Sequence, residues 1–188
     1  RLGLMLTLFT NGTLITEEIA EHWSRWKPAM VEVSIYGATP ETYEKLAGSA
    51  AAFDRAMEGV ERLLRHKIPL TLKTVVLEPN KHEVERIRAI ADKLGVPFKF
   101  TVDIFPEYEG CKVPQHLAPA PEESAAIAVR DKVHMDTWTA EMAEAVLPPE
   151  RSDDLFYCKA GKRSFSIGPD GNIQFCLLLR HGRVDMRK

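Results

Sequence analysis

The sequence lacks a charge surplus of either sign. Its 25 lysines and arginines nearly balance 27 aspartates and glutamates, the net charge is −2, and the two signs are interspersed. That leaves no electrostatic footprint for nucleic acid or for an anionic membrane surface. Cysteine is scarce: Cys111, Cys158 and Cys176 are too few and too unevenly placed for a disulfide framework. This argues for a reducing, cytoplasmic location and for thiols that act chemically or stay free. No apolar stretch approaches the roughly 18 residues that a membrane-spanning helix needs. The six histidines show no metal-ligand spacing, and neither a phosphate-cradling glycine loop nor a Ser/His/Asp order is visible. What is there is a chain of 188 residues, 45% apolar and 28% charged, the length and composition of about one globular domain.

Both ends read as cut. The run Arg1–Phe9 is apolar from its second residue and has no initiator methionine, and the chain stops at Lys188 just after an expected strand. The sequence is therefore expected to be a piece of a longer protein. The opening run has no small-residue cleavage site and turns at once into Asn11-Gly12-Thr13, which favours a buried strand over a signal peptide. Without a secretion signal, the glycosylation sequon spelled by those three residues is read as chance.

Apolar and β-branched runs alternate with helical patterns. Strands are expected at Leu4–Thr10, Val31–Ile35, Leu70–Leu77 and Phe98–Ile104. Between them, Thr16 and Thr39 read as N-caps, and Ile19, His22, Trp23 and Trp26 are expected on one helix face. Asn80 with Glu83 spells a capping box, and Pro28, Pro69, Gly95 and Pro97 end the helices. The βαβαβαβ order predicts an α/β fold with a parallel sheet. One face of the strands is apolar, whereas the alternate face carries Thr7 and Asn11, Glu32 and Ser34, Thr71 and Lys73, and Lys99, Thr101 and Asp103. Two-sided helix cover would bury those polar groups at a cost, so an open or partial barrel with a polar ligand is favoured. Its ligand is expected to meet Asn11, Ser34 and Lys73, because function in such folds sits at the carboxyl ends of strands. Pairing of Lys73 with Glu32 or Asp103 as a purely structural network is the competing reading, as is a simple turn at Asn11.

After Asp103 the repeat breaks into a proline-rich loop, followed by expected helices near Glu122–Val133 and Trp138–Val146 and a Pro148-Pro149 linker. The last segment reads as a β-hairpin, Ser164–Ile167 and Ile173–Cys176, turning at Pro169-Asp170-Gly171-Asn172. Cys158 and Cys176 flank it. Two thiolates at this separation suit zinc or an iron–sulfur cluster but do not fill a tetrahedral site, and within the chain only His181 is near. Two buried small hydrophobes are the plainer reading.

Three stretches together resemble radical S-adenosylmethionine (radical SAM) enzymes that carry the cluster-binding extension called the SPASM domain. They are Thr10-Asn11-Gly12-Thr13-Leu14; Ser34-Ile35-Tyr36-Gly37-Ala38-Thr39-Pro40-Glu41-Thr42-Tyr43, continued by Phe53, Lys73-Thr74-Val75-Val76 and Asn80; and Cys158-Lys159-Ala160-Gly161 with Ile167 to Cys176. The resemblance implies a partial (βα)6 TIM-like barrel, of which this chain holds the last four βα units, followed by the start of a small β-hairpin cluster-binding domain. On this reading, residues 1–120 are the C-terminal portion of the barrel, 121–150 a helical linker and 151–188 the start of the iron–sulfur domain. Ser34 and Lys73, with Asn11 close by, are implied to hydrogen-bond the ribose or methionine carboxylate of S-adenosylmethionine. Cys158 and Cys176 are implied to ligate an auxiliary 4Fe-4S cluster.

The family's Cys-x-x-x-Cys-x-x-Cys loop, first two strands, glycine-rich motif and later extension cysteines are absent from this chain. The intact parent is therefore expected to be an enzyme that abstracts hydrogen from a peptide or small-protein substrate with the help of an electron donor, while the chain alone is expected to be inactive. The alternative is a non-catalytic zinc- or metal-binding scaffold using Cys158, Cys176 and His181. Last comes an unrelated α/β-barrel enzyme piece, because no acid/base pair or metal triad stands at the strand ends. Asp103 is left open between facing substrate and pairing with Lys73, and Cys111 matches no family ligand.

Overall fold

Hydrophobic alternation in the first half of the chain becomes a parallel sheet in the computed structural model, which describes residues 3–105, 113–144, 165–168, 171–174 and 184–185. The chain divides into two compact units, Arg1–Ile104 with Gln115–Met135, and Phe105–Pro114 with Asp136–Lys188. In the first unit, β1 (Thr7–Thr10), β2 (Met30–Ser34), β3 (Leu70–Val75) and β4 (Phe98–Thr101) lie side by side in chain order. Every neighbouring pair is parallel. Helices α1 (Glu17–Arg25), α2 (Pro40–Ala47), α3 (Ala51–Arg65) and α4 (Val84–Leu94) form the connections.

The helices share a core with one face of the sheet. Val31, Val33 and Ile35 of β2 and its exit, with Leu70, Leu72, Phe98 and Phe100, meet Ala20, Tyr43, Ala56, Val60, Leu63, Ile87 and Ala91. Each large aliphatic side chain so buried contributes about 1.5–3 kcal/mol. The expected caps form: the Thr16 hydroxyl accepts from the Ile19 amide and the Thr39 hydroxyl from the Thr42 amide. Gly95 closes α4 in the left-handed conformation at φ 68°, where a side chain would be strained.

Four local expectations need correction. The first strand begins at Thr7, because its ladder with β2 starts at Met30 and only the Ala29 amide, which donates to the Leu6 carbonyl at 2.8 Å, reaches back before it; Leu4, Met5 and Leu6 are 65%, 89% and 56% exposed. In α1 the core side is made by Ile19, Ala20 and Trp23, while His22 and Trp26 are exposed. Asn80 and Glu83 form no capping box: a single 3₁₀ turn, Lys81–Glu83, precedes α4, and both side chains turn inward to distant backbone. β4 ends at Thr101, whose hydroxyl accepts from the Asp103 amide at 3.1 Å.

Beyond Gln115, α5 (Pro121–Arg130) and α6 (Lys132–Glu144) break at Asp131. Asp131 is buried, pairs with Arg88 and accepts from the His134 amide, so one carboxylate both fastens the segment and opens the next helix. In the second unit, β5 (Ser166–Ile167) pairs antiparallel with β6 (Asn172–Gln174), and Gly171, at φ 79°, donates its amide to the Gly168 carbonyl at the turn. β7 (Val184–Asp185) adds to β6. Cys111, Cys158, Cys176 and His181 lie outside the described residues.

Candidate functional site

The sheet face away from the helices carries the polar side chains. Strand register lines Phe9 up with Glu32 and Thr71, and Ser34 with Lys73 and Lys99. Glu32 is the hub: its Oε2 lies 3.2 Å from Lys73 Nζ and its Oε1 3.6 Å from Lys99 Nζ. Lys73 is 31% exposed and Glu32 only 17%, so this pair is better shielded than a surface ion pair worth about 0–1 kcal/mol. The Lys73 ammonium also stands 4.2 Å over the Phe9 ring, whose electron-rich face favours a cation.

Ser34 ends β2 next to this hub. Its register partner is Lys73, and the Ile35 amide donates to the Lys73 carbonyl at 2.8 Å, which holds the two strand ends together. Among the described residues the Ser34 hydroxyl has no hydrogen-bond partner and is only partly buried. Asn11 follows Thr10, whose register partner Val33 precedes Ser34. Its Oδ1 accepts from the Thr13 amide at 3.1 Å and the Thr13 hydroxyl at 2.9 Å, an Asx-type turn.

That turn is tightly seated. Gly12 has φ 79°, and an added Cβ there would lie 3.0 Å from Val33 Cγ1; a Cβ on Gly59 of α3 would lie 2.2 Å from the Gly12 carbonyl oxygen. Arg62 secures the next turn by donating to the Ile15 carbonyl at 3.0 Å.

Behind Ser34, Tyr36, Tyr43 and Phe53 stack edge to face with ring centroids 5.9 and 5.3 Å apart. The Tyr43 hydroxyl is buried without a hydrogen bond of normal geometry. Burial pushes it up to about 12, and the nearby Tyr36 backbone opposes this only in part. Tyr43 is thus a neutral wall of the loop.

The structure brings Ser34 and Lys73 together and sets Asn11 at the neighbouring strand end. It gives Lys73 the partner Glu32, one of the two foreseen for a structural network, while Asp103 bonds locally to Thr101. Phe9 went unread, although an aromatic at the centre of the alternation Thr7–Phe9–Asn11 on a polar face is a visible anomaly. A ligand carrying a diol and a carboxylate fits this donor set: an open hydroxyl for the first, and an ammonium for the second. No group of three or more His, Cys, Asp or Glu placed to hold a metal occurs among the described residues. No helix among them is long and apolar enough to cross a membrane.

A parallel α/β sheet with its polar groups gathered at the strand ends defines a class that comparison with known proteins makes specific. Residues 1–91 match the family model of the Radical SAM superfamily. An AdoMet-dependent heme synthase of Methanosarcina barkeri is 37% identical over 93 residues, covering 50% of this chain and 27% of the relative. Other relatives match nearly the whole chain, two of them as follows. Mycofactocin maturase MftC of Mycobacterium ulcerans is 25% identical, covering 93% of this chain and 48% of its own length. PqqA peptide cyclase of Ruegeria pomeroyi is 24% identical, covering 93% and 47%.

Among solved structures, histidine-tagged anSMEcpe with bound AdoMet aligns over 96% of this chain and 52% of that chain, with TM-score 0.57 and 17% identity. That likeness concerns the fold. The chain spans about a quarter to a half of the length of the curated relatives it matches.

Proposed function

We propose that this chain is the later part of a radical SAM enzyme that modifies a peptide or small protein. On this reading β1–β4 are the last four strands of a six-stranded partial barrel, residues 121–150 link it to a SPASM-like extension beginning at 151, and the protein works in the cytoplasm with an electron donor. The observation that carries the proposal is the open Ser34 hydroxyl in register with the Lys73 ammonium at the carboxyl ends of adjacent parallel strands, in a chain whose first 91 residues match the superfamily. Support for the substrate class comes from relatives named as a peptide cyclase and a maturase.

Ser34 would hold a ribose hydroxyl. Lys73 would exchange part of its pairing with Glu32 for the methionine carboxylate, and Asn11, with Gly12 behind it, would border the same end. Bound S-adenosylmethionine with a reduced cluster supplies one-electron cleavage and hydrogen abstraction. The chain's own cysteines do not form the Cys-x-x-x-Cys-x-x-Cys loop, so no radical step is assigned to these residues. Cys158 and Cys176 are proposed as two ligands of an auxiliary 4Fe-4S cluster.

Calorimetry with S-adenosylmethionine tests the site. Ser34→Ala should weaken binding roughly 3- to 10-fold, the worth of one hydrogen bond, and Lys73→Met should weaken it at least as much. Wild-type affinity in both variants overturns the assignment. Anaerobic incubation with reductant should give no deoxyadenosine from this chain. After reconstitution, iron and sulfide that fall in Cys158→Ala support the cluster reading, while stoichiometric zinc supports the scaffold alternative.

A further inference from the structure

Two buried polar side chains that take no part in the sheet face converge on the loop leaving β2. Asn80 is 0% exposed and Glu83 2%, and carboxylates so deeply buried are rare unless paired. Asn80 accepts from the Leu77 amide at 2.7 Å through Oδ1. Through Nδ2 it donates to the Tyr36 carbonyl at 2.9 Å and the Val75 carbonyl at 3.0 Å. It thereby ties the exit of β3 to the exit of β2 and uses three of its four hydrogen-bonding positions.

Glu83 continues the tie. Its Oε2 accepts from the Ala38 amide at 2.8 Å and its Oε1 from the Thr39 hydroxyl at 3.2 Å. The nearest cation, Arg86, is exposed and 3.4 Å away. The carboxylate thus sits at the N-terminal end of α2, where the backbone dipoles favour a negative charge. Gly37 lies against it: an added Cβ would be 2.9 Å from Glu83 Oε2 and 2.6 Å from Thr42 Cγ2.

Well-packed apolar residues generally serve stability as well as such buried polar groups do. What a hydrogen-bonded amide and carboxylate add is a fixed backbone path for a stretch with no ladder of its own. Residues 35–39 are such a stretch. Two anchors follow Ser34 directly in the chain, the Ile35–Lys73 backbone bond and, one residue further on, the Asn80–Tyr36 bond.

We propose that Asn80 and Glu83 are positioning residues that fix the Tyr36–Thr39 loop and so set Ser34 against bound S-adenosylmethionine. This rests on the reading of the sheet face given above. The clamp acts through Ser34, so its loss and the loss of the Ser34 hydroxyl should overlap.

The test is S-adenosylmethionine affinity by calorimetry, with the exchange rate of the Ala38 amide as an independent readout. Glu83→Ala should speed Ala38 exchange and lower affinity on the order of 10-fold. Glu83→Gln, which keeps one acceptor and the shape, should stay within about 2-fold of wild type, and Glu83→Ala added to Ser34→Ala should cost no more than about 2-fold further. Gly37→Ala, which displaces the loop while leaving both clamp residues, should reproduce the loss and carries the test if Glu83→Ala does not fold. Wild-type affinity in folded Glu83→Ala or Gly37→Ala, or losses fully additive with Ser34→Ala, overturns the positioning role alone. Failure of the wild-type chain to bind S-adenosylmethionine overturns the site reading and this proposal with it.

Discussion

Gly59→Ala sets helix propensity against packing, and the structure decides the sign. Gly59 is buried within α3, where alanine would favour the helix by about 1 kcal/mol. The added Cβ, however, would stand 2.2 Å from the Gly12 carbonyl oxygen, 3.1 Å from its carbon and 3.3 Å from Ile15 Cβ. The first distance is more than about 1 Å inside van der Waals contact, and the obstacle is backbone rather than a side chain free to swing. Gly12 has little room to retreat: its amide donates to the Thr10 hydroxyl at 3.1 Å, and Val33 lies behind it.

α3 must therefore lift, loosening Ala56, Val60 and Leu63 from the core. Overpacking of this kind costs about 1–3 kcal/mol, and loss of the bond from Arg62 to the Ile15 carbonyl adds about 1 kcal/mol. Against the propensity gain, the net is a destabilisation of about 2 kcal/mol. For a chain of this size that lowers Tm by roughly 4–8 °C, read by circular dichroism during thermal unfolding. An unchanged or raised Tm would refute the argument that the Gly12–Gly59 approach seats the turn.

Tyr43, at about 12 in the fold against an ordinary 10.0, stays protonated where the unfolded chain ionises. Stability should thus be unaffected below about pH 10 and fall by up to about 2–3 kcal/mol as the pH rises toward 12; Tyr43→Phe should abolish that alkaline loss in urea titrations, and its persistence would acquit the tyrosine. Glu17 and Glu123 are held below the usual 4.5, Glu17 by His66 first and then Arg65, and Glu123 by Lys81. Their support is present above that pH and should vanish as the pH drops through the lowered values, a loss that Glu17→Gln with Glu123→Gln would remove from the acid limb. Lys73→Met leaves Glu32 only the more distant Lys99 and should cost about 1 kcal/mol in urea unfolding; no cost would mean the pair is unimportant to stability.

What could be read from the chain was whatever is decided locally. Strands β2 to β4 follow from β-branched alternation, and the Thr16 and Thr39 caps from hydroxyls a few atoms from the amides they satisfy. Burial of the first strand was misjudged because it depends on a neighbour strand, and β2 reaches back only to Met30. Asn80 and Glu83 fit the pattern of a capping box, yet Asn80 also reaches Tyr36, and Glu83 reaches Ala38 and Thr39, all more than forty residues away in sequence. The short strand β7 carries no periodic signal within its two residues. In the candidate site, alternation put Ser34, Lys73 and Glu32 on one face, but register alone decides which of them touch.

The sheet's order has a consequence for how the chain is made. Each strand of β1-β2-β3-β4 pairs only with its immediate predecessor and successor in sequence. As the polypeptide leaves the ribosome, every new βα unit finds its template already present and waits for nothing later than itself. Non-local parallel pairing is ordinarily slow and exposed to aggregation, and this order keeps each loop closure as short as a crossover permits. Among these four strands assembly becomes a zipper running from β1 to β4, with a growing edge that the next segment covers as it emerges.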